Sequence, residues 1–235
     1  SSNYYIKAKI QSNGDLKVKE LIVLKGSFNG YERSIDFQNS ALSGYNDIDF
    51  EHSAIYNSDG IKDVKISAKY LNNVSYNNID DTDYESFEEV SYANAGDKRK
   101  YIYTKRYDGD TYRMYYESRG NKVGFLVEYT LDNAVVMHND VAELYWQIFT
   151  ASSDNDTYED LKVKVYLPGE DDNDTFRFWA HGPLSGEING IKSYGDYYEG
   201  VYATIDELDN DEDLDVRLTF NKNLITDDSA LDHTY

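Results

Sequence analysis

The first 25 residues alternate between apolar and polar side chains, and this two-residue period most constrains the fold. The apolar sets are Tyr4, Ile6, Ala8 and Ile10, then Leu16, Val18, Ile22 and Leu24. Between them lies Asn13-Gly14, a strong hairpin signal because both residues readily take positive φ in a two-residue turn. Since alternate side chains of a strand point to opposite faces, the chain is predicted to begin with a β-hairpin that buries one face.

Alternating segments recur along most of the remaining chain. They cover residues 61–70, 101–104, 112–116, 123–131, 145–150, 161–167, 175–180, 187–191, 200–205 and 214–220. Turn signals at Asp108-Gly109-Asp110 and at Arg119-Gly120-Asn121 predict a three-stranded meander from residue 101 to residue 131. We expect two polar stretches, 38–60 and 72–97, to be loops or weak edge strands.

One short segment carries a helical signal. Asp140 and Glu143 have the spacing of a capping box, and a helical stripe is formed by Met137, Val141, Leu144, Tyr145 and Ile148. The sequence therefore predicts an all-β fold of two packed, immunoglobulin-like β-sandwich units, with at most a short helical turn near 140–145. The units are predicted at residues 1–139 and 140–223, followed by a tail or tether at 224–235.

The residue composition agrees with a β protein and excludes several kinds of chemistry. The chain has 24 Tyr and only 2 Pro, which suits half-buried strands with unbroken ladders. It has no Cys, so a disulfide framework, a thiolate metal site and a cysteine nucleophile are excluded. No apolar run approaches the roughly 20 residues of a spanning helix, and we expect any membrane anchor to lie outside this chain.

The formal net charge of -21 argues against nucleic acid and anionic membrane surfaces as partners. Residues 98–122 are an exception, with 8 Lys/Arg against 3 Asp/Glu. This basic stretch is either a site for an anionic polymer or a set of strands lying beside acidic segments of the same chain. The second explanation is preferred, because surfaces of mixed charge are the ordinary case.

Two short strings stand out as motifs: Glu143-Leu144-Tyr145-Trp146 and His181-Gly182-Pro183-Leu184-Ser185-Gly186. With the first hairpin, Gly30-Tyr31-Glu32-Arg33-Ser34-Ile35, residues 125–131 and residues 163–169, they resemble the extracytoplasmic region of YciQ-type bacterial membrane proteins. Gln147-Ile148-Phe149 departs from the Asn-Val-Thr usual in that family. The resemblance implies a signal peptide upstream, an outward-facing β region and membrane helices downstream, and it implies no catalytic residues.

Both motifs are interpreted first as packing elements. Tyr145 and Trp146 must point to opposite faces of one strand, so one is expected in the core and the other in a contact between units. Leu184, flanked by Gly182-Pro183 and Ser185-Gly186, is expected to plug a tight loop. No catalytic, cofactor-binding or metal-binding residue is assigned, and no cofactor is expected.

Other chemistry finds weak support in the sequence. Ser185 is one place too late for a nucleophile elbow, and the four His are scattered: His52, His138, His181 and His233. A glycosidase needs only two carboxyls, which 44 Asp/Glu do not exclude. Calcium is the strongest weak lead, from clusters at 154–156, at 171–174 and at Asp209, Asp211, Asp213 and Asp215, although each lacks EF-hand features. Solvated acidic loops are the preferred interpretation.

The resulting functional prediction is a non-enzymatic, extracytoplasmic interaction or scaffolding module of a membrane-anchored bacterial cell-envelope protein. An envelope protein or a wall polymer is the expected partner, and contact with the membrane is expected only through segments outside this chain. The alternatives are a carbohydrate-active enzyme that uses an Asp/Glu pair and a calcium-stabilised surface adhesin. A stripe of exposed basic residues or a flat aromatic strip favours binding, whereas a cleft with two carboxyls favours the enzyme.

Overall fold

β-Branched and aromatic residues favour extended backbone, and strands make up most of the part of the chain that the structure describes. The computed structural model describes residues 2–35, 37, 58–94, 100–106, 110–149, 157–172 and 174–226. Its fourteen strands, β1 to β14 in chain order, are Ser2–Ile10, Leu16–Ser34, Gly60–Tyr70, Glu85–Ser86, Glu88–Glu89, Ile102–Arg106, Thr111–Asp132, Val135–Met137, Val141–Phe149, Tyr158–Asp171, Arg177–His181, Glu187–Tyr194, Tyr197–Leu208 and Leu214–Asn221. Short 3₁₀ helices occupy Tyr76–Asp80 and Lys222–Leu224. Within these ranges, no helix has the length and apolar character to span a membrane.

The strands form two sheets, which confirms the all-β prediction. The larger sheet has the order β12-β13-β10-β1-β2-β7-β3-β4, with β6 beside β7 and β5 beside β6. The smaller sheet has the order β11-β14-β9-β8. Strands from the predicted units 1–139 and 140–223 enter both sheets, and β1 pairs in parallel with β10. The immunoglobulin-like detail of two packed sandwiches is not confirmed.

The first hairpin forms as predicted, but its turn differs from the expected one. Only Gly14 takes a positive φ, of 89°, because the loop is one residue longer than a two-residue turn. The Gly14 amide donates to the Gln11 carbonyl at 3.0 Å, and the Gln11 amide donates to the Asp15 carbonyl at 2.8 Å. The Asp15 amide also donates to Asn13 Oδ1 at 3.0 Å, which holds the loop.

The predicted turn at 119–121 is wrong, because β7 continues without interruption from Thr111 to Asp132. Gly120 takes a φ of 90°, and the irregularity is absorbed as a bulge opposite β2, where Lys25 pairs with Lys122 and Ser27 with Arg119. The predicted meander is therefore two strands, β6 and β7, whose connecting residues 107–109 lie outside the described residues. Of the two predicted polar stretches, 38–57 lies outside them as well, whereas 72–94 holds a 3₁₀ helix and two very short strands.

The long ribbon made by β2 and β7 bends sharply. A straight strand rises about 3.3 Å per residue and would hold Glu20 and Arg33 roughly 40 Å apart. Instead, Arg33 Nε donates to Glu20 Oε2 at 2.7 Å across 13 residues of the same strand. Register shifts fall between Lys25 and Ser27 and between Phe28 and Gly30. These bulges fold the ribbon back on itself, and Gly30 is needed there because a Cβ would lie 2.0 Å from the Met114 carbonyl oxygen.

The ends of the bent ribbon are joined by a buried ion pair in the core. Arg33 Nη2 donates to Glu20 Oε1 at 2.9 Å and reaches the smaller sheet at the Ile148 carbonyl, 3.3 Å away. The hydroxyls of Tyr4 and Tyr129 also donate to Glu20, which is fully buried. Burial alone would raise the pKa of the Glu20 carboxyl, but the charge of Arg33 and the hydrogen bonds from Arg33, Tyr129 and Tyr4 hold that pKa below its ordinary value.

The predicted helical turn near 140–145 is wrong, because Val141–Phe149 is a strand throughout. Ala142, Leu144, Trp146 and Ile148 are all buried, which is the two-residue period of a strand, and of these only Leu144 and Ile148 belong to the predicted helical stripe. β8 and β14 pair with the two edges of β9 and provide its backbone with partners. The capping-box residue Glu143 instead takes part in side-chain contacts on the outer face of the smaller sheet.

The inner faces of the two sheets share one large apolar core. Trp146 is among its largest side chains and is 1% exposed, which confirms the predicted core position for one residue of the Tyr145-Trp146 pair. The core extends into the predicted tail, since Ile225 is buried and the Thr226 amide donates to the Ser12 carbonyl at 2.8 Å. Residues 227–235 lie outside the described residues.

Candidate functional site

The two sequence motifs meet on the outer face of the smaller sheet. Glu143-Leu144-Tyr145-Trp146 lies on β9, and His181 ends β11, where the second motif begins. β14 lies between these two strands. Since neighbouring strands are about 4.8 Å apart, residues of β11, β14 and β9 that share a row lie within roughly 10 Å.

Alternation decides which side chains reach this outer face. Trp179 on β11 pairs with Arg217 on β14, and Arg217 pairs with Tyr145 on β9. His181 and Asp215 form the next row. Directly paired residues point to the same side, so a Trp, an Arg and a Tyr stand side by side across three strands.

Hydrogen bonds hold the first row in place. Arg217 Nε donates to Glu143 Oε1 at 2.7 Å, and His138 Nε2 lies 3.0 Å from Glu143 Oε2. The Arg217 guanidinium also lies over the Trp179 ring, 5.4 Å from its centroid. Charge-assisted bonds and a cation–π contact restrict these side chains, so the row is ordered before any partner arrives.

The second row borders a hollow of about 400 Å³. His181 Nδ1 lies 2.8 Å from Asp215 Oδ1, and the Tyr145 hydroxyl donates to Asp215 Oδ2 at 3.3 Å. Glu212, Asp213 and Gly182 complete the lining. A His oriented by a carboxylate provides two of the three members of a hydrolase triad. The imidazole, hydroxyl and carboxylate groups that line the hollow can each form a hydrogen bond with a ligand.

The predicted plug at Leu184 is wrong. The Gly186 amide donates to the Pro183 carbonyl at 2.9 Å and closes a tight turn, which places Leu184 at its tip. Leu184 is fully exposed, at 106% of its reference area. The second motif therefore presents an apolar side chain to solvent in the loop that follows β11.

The acidic clusters proposed for calcium do not gather their carboxylates. Asp215 is engaged by His181 and Tyr145, and Asp209 receives a hydrogen bond from Thr157 at 3.3 Å. Asp171 accepts from the Thr175 hydroxyl at 2.7 Å. Across the described ranges, no group of three or more His, Asp or Glu side chains could hold a metal ion. The cluster at 154–156 lies outside those ranges.

The basic stretch 98–122 is largely paired with acidic residues of the same chain, as the preferred explanation predicted. Lys105 contacts Glu89 at 3.0 Å, and Arg113 and Arg106 both contact Glu32. Lys98 and Arg99 are outside the described residues. This stretch therefore forms no separate cationic surface among the residues described.

Sequence reasoning did not single out Trp179 or Arg217. Both lie at alternate positions of segments that were predicted as strands, but strand order cannot be deduced from one sequence. The signal that remained was compositional, since Trp179 is one of only 2 Trp in the chain. Its partner Arg217 lies 38 positions later, where no spacing rule connects them.

Comparison with known proteins gives one family. A family model described as the N-terminal domain of a predicted membrane protein (DUF2207), a domain of unknown function, matches residues 2–220. No curated protein matches the chain. The match agrees with the resemblance to a membrane-protein family, whereas the finer YciQ-type assignment stays a prediction.

Proposed function

Because the chain belongs to this family of predicted membrane-protein N-terminal domains, we propose that it is an outward-facing interaction module of a membrane-anchored cell-envelope protein. In this proposal the outer face of the smaller sheet contacts an envelope partner. The observation that carries it is the row of Trp179, Arg217 and Tyr145, which are the residue types most enriched at energetic centres of protein interfaces.

Two further features support a contact surface at this place. Trp179 is 44% exposed beside Arg217, which Glu143 holds in place, and Leu184 is fully exposed in the loop after β11. An ordered surface loses less side-chain entropy when it binds. The hollow at His181 and Asp215 adds polar groups at the rim, where interfaces are normally hydrated.

A single engineered cysteine tests the orientation. The chain has no Cys, and Ser185 is exposed in the loop after β11. In the full-length protein, S185C should react with a membrane-impermeant maleimide on intact cells, to the same extent as after lysis. The unaltered full-length protein is the control for cysteines elsewhere. Labelling of S185C that requires lysis would contradict the outward orientation.

A photo-reactive amino acid tests the contact face. Placed at Leu184 in the full-length protein, it should give a discrete cross-linked product in intact cells. The matched control is position 194, where Tyr194 is 61% exposed at the far end of β12 and should give none. When W179A is combined with the photo-reactive residue at position 184, the yield of the cross-linked product should fall severalfold. The reason is that loss of a hot-spot aromatic costs about 2 kcal/mol or more of binding free energy. Cross-linked products of equal yield from positions 184 and 194 would count against the proposal.

A carbohydrate-active enzyme is the second candidate, favoured by the hollow that Glu212, Asp213 and Asp215 line beside Tyr145. Glycoside hydrolysis needs two carboxyls that flank the scissile bond. Release of sugar from wall glycan by the purified domain, abolished in D215N and retained in W179A, would favour the enzyme over the interaction module.

A further inference from the structure

The outer face of the larger sheet, on the opposite side of the molecule, carries a concentration of lysines. Lys7 and Lys9 lie on β1, Lys17 and Lys19 on β2, and Lys65 on β3. They occupy the positions that alternate with the buried core residues, so they share one face. This is unusual in a chain with 44 Asp/Glu and 23 Lys/Arg.

Part of this outer face is covered by the chain itself. The segment from Leu71 to Tyr84 packs on Tyr5, Leu21 and Leu126 and forms a second, smaller apolar core. Beyond the covered part lies an open groove of about 660 Å³, whose lining includes all five lysines. A neighbouring hollow of about 560 Å³ shares Lys7, Lys9 and Gln11 with it. The neighbouring hollow also carries Glu170 and Glu199, so the cationic part of the recess is the first groove, which crosses β1, β2, β7 and β3, or about 14 Å.

Three of the five lysines have no anionic partner among the residues that the structure describes. Lys7 pairs with Asp80 at 2.7 Å and Lys19 with Glu128 at 3.4 Å. Lys9, Lys17 and Lys65 form no ion pair with any described residue. The groove thus holds cations whose charge is not neutralised within the part of the chain that the structure describes.

Cross-strand pairing sets these lysines against each other. Lys9 lies directly opposite Lys17, Lys7 opposite Lys19, and Lys7 also opposite Lys164 on β10. Directly opposed like charges destabilise a sheet. A bound polyanion would offset the repulsion between these lysines. The opposed lysines therefore destabilise the free protein and stabilise its complex with a polyanion.

We propose that this groove binds a linear polyanion with repeating phosphate groups. Ammonium groups act as point charges without the fork geometry of arginine, which suits a flexible phosphate chain better than one rigid carboxylate. A linear chain contacts only the recess. A flat anionic membrane would instead approach the whole strongly acidic molecule.

The net charge of -21 does not prevent such binding. At physiological ionic strength the Debye length is about 8 Å, so distant acidic residues are largely screened from a ligand in the groove. The local charges decide, and the free lysines outnumber Asp63, the groove carboxylate that forms no ion pair with the described residues. The proposal concerns a different face from the contact surface of the smaller sheet, and either can fail without the other.

The test compares two matched double substitutions in the purified domain. K9Q/K17Q removes one directly opposed lysine pair inside the groove, and K25Q/K122Q removes another opposed pair on the same face, outside it. The probe is long-chain inorganic polyphosphate at about 0.15 M salt, with affinity measured by calorimetry. We expect K9Q/K17Q to weaken binding roughly tenfold and K25Q/K122Q less than about twofold, because a surface charge at close range contributes a factor of several.

Thermal unfolding without ligand shows that both variants fold, since removal of a like-charge pair should leave Tm unchanged or raise it. Equal loss of affinity in both variants, or no binding by the unsubstituted protein, would overturn the proposal. Binding to phosphatidylglycerol vesicles without binding to polyphosphate would overturn it in favour of a membrane surface.

Discussion

Replacing Arg33 with methionine should lower the free energy of unfolding by about 3–5 kcal/mol, because it leaves a buried carboxylate without its counter-charge. Glu20 is completely buried and Arg33 is 8% exposed. The substitution also removes the hydrogen bond from Arg33 to the Ile148 carbonyl, which joins the two sheets. Urea denaturation of the wild-type and R33M domains measures the difference.

The double variant E20Q/R33M is the control. It removes both charges. The amide oxygen that E20Q introduces can accept a hydrogen bond from one of the hydroxyls of Tyr4 and Tyr129, and the amide NH2 can donate to the hydroxyl oxygen of the other. Replacing a whole buried ion pair is often nearly neutral, so E20Q/R33M should be more stable than R33M. A loss below about 1 kcal/mol in R33M would show that the pair does not hold the bent ribbon.

The same pair should shape the acid limb of the stability profile. The pKa of Glu20 is lower in the folded state than in the unfolded chain, so its contribution is complete above the ordinary Glu value of about 4.3. That contribution is lost as pH falls below this value and through the lower folded pKa. The acid limb of E20Q/R33M should therefore be shallower than that of the wild type.

Replacing Trp146 with alanine should cost about 3–5 kcal/mol, whereas W179A should change stability by less than about 0.5 kcal/mol. Trp146 is 1% exposed between the two sheets, and Trp179 is 44% exposed on the outer face. The two variants thus distinguish a Trp that packs in the core from a Trp that is proposed to contact a partner, within the same small sheet. Chemical denaturation gives the stabilities, and the cross-linking yield at Leu184 should fall in W179A although the stability of that variant stays close to that of the wild type.

The variant W146F tests whether the loss of stability in W146A comes from the loss of the aromatic ring. Because W146F keeps a large aromatic ring, its free energy of unfolding should lie between those of W146A and the wild type. If W179A destabilised the domain as much as W146A, the outer row would be part of the packing of the sheet, and its proposed role as a contact surface would lose its main support.

The alternation of apolar and polar residues predicted most strands, because burial of one face of a strand produces this pattern within a few neighbouring residues. The prediction failed where the same residues are also compatible with a helix or a turn. Buried Leu144 and Ile148 fit a helical stripe as well as a strand face, and Gly120 suggests a turn although it forms a bulge.

The candidate sites depend on strand order, which is not local. Arg217 and Trp179 become neighbours only because β14 pairs with β11. The sequence did contain the lysines at alternate positions of β1 and β2, and it predicted the hairpin that joins them. The sequence did not show that the segment from Leu71 to Tyr84 packs on the rest of that face. This packing leaves the groove beside the segment.

The parallel pairing of β1 with β10 bears on when the domain can fold. Tyr5 and Asp160, which are hydrogen-bonded at 2.7 Å, are 155 residues apart in the chain. A contact of this range forms late, because closure of so long a loop must precede it. The first strand therefore stays without its neighbour on one edge until most of the chain has been synthesised.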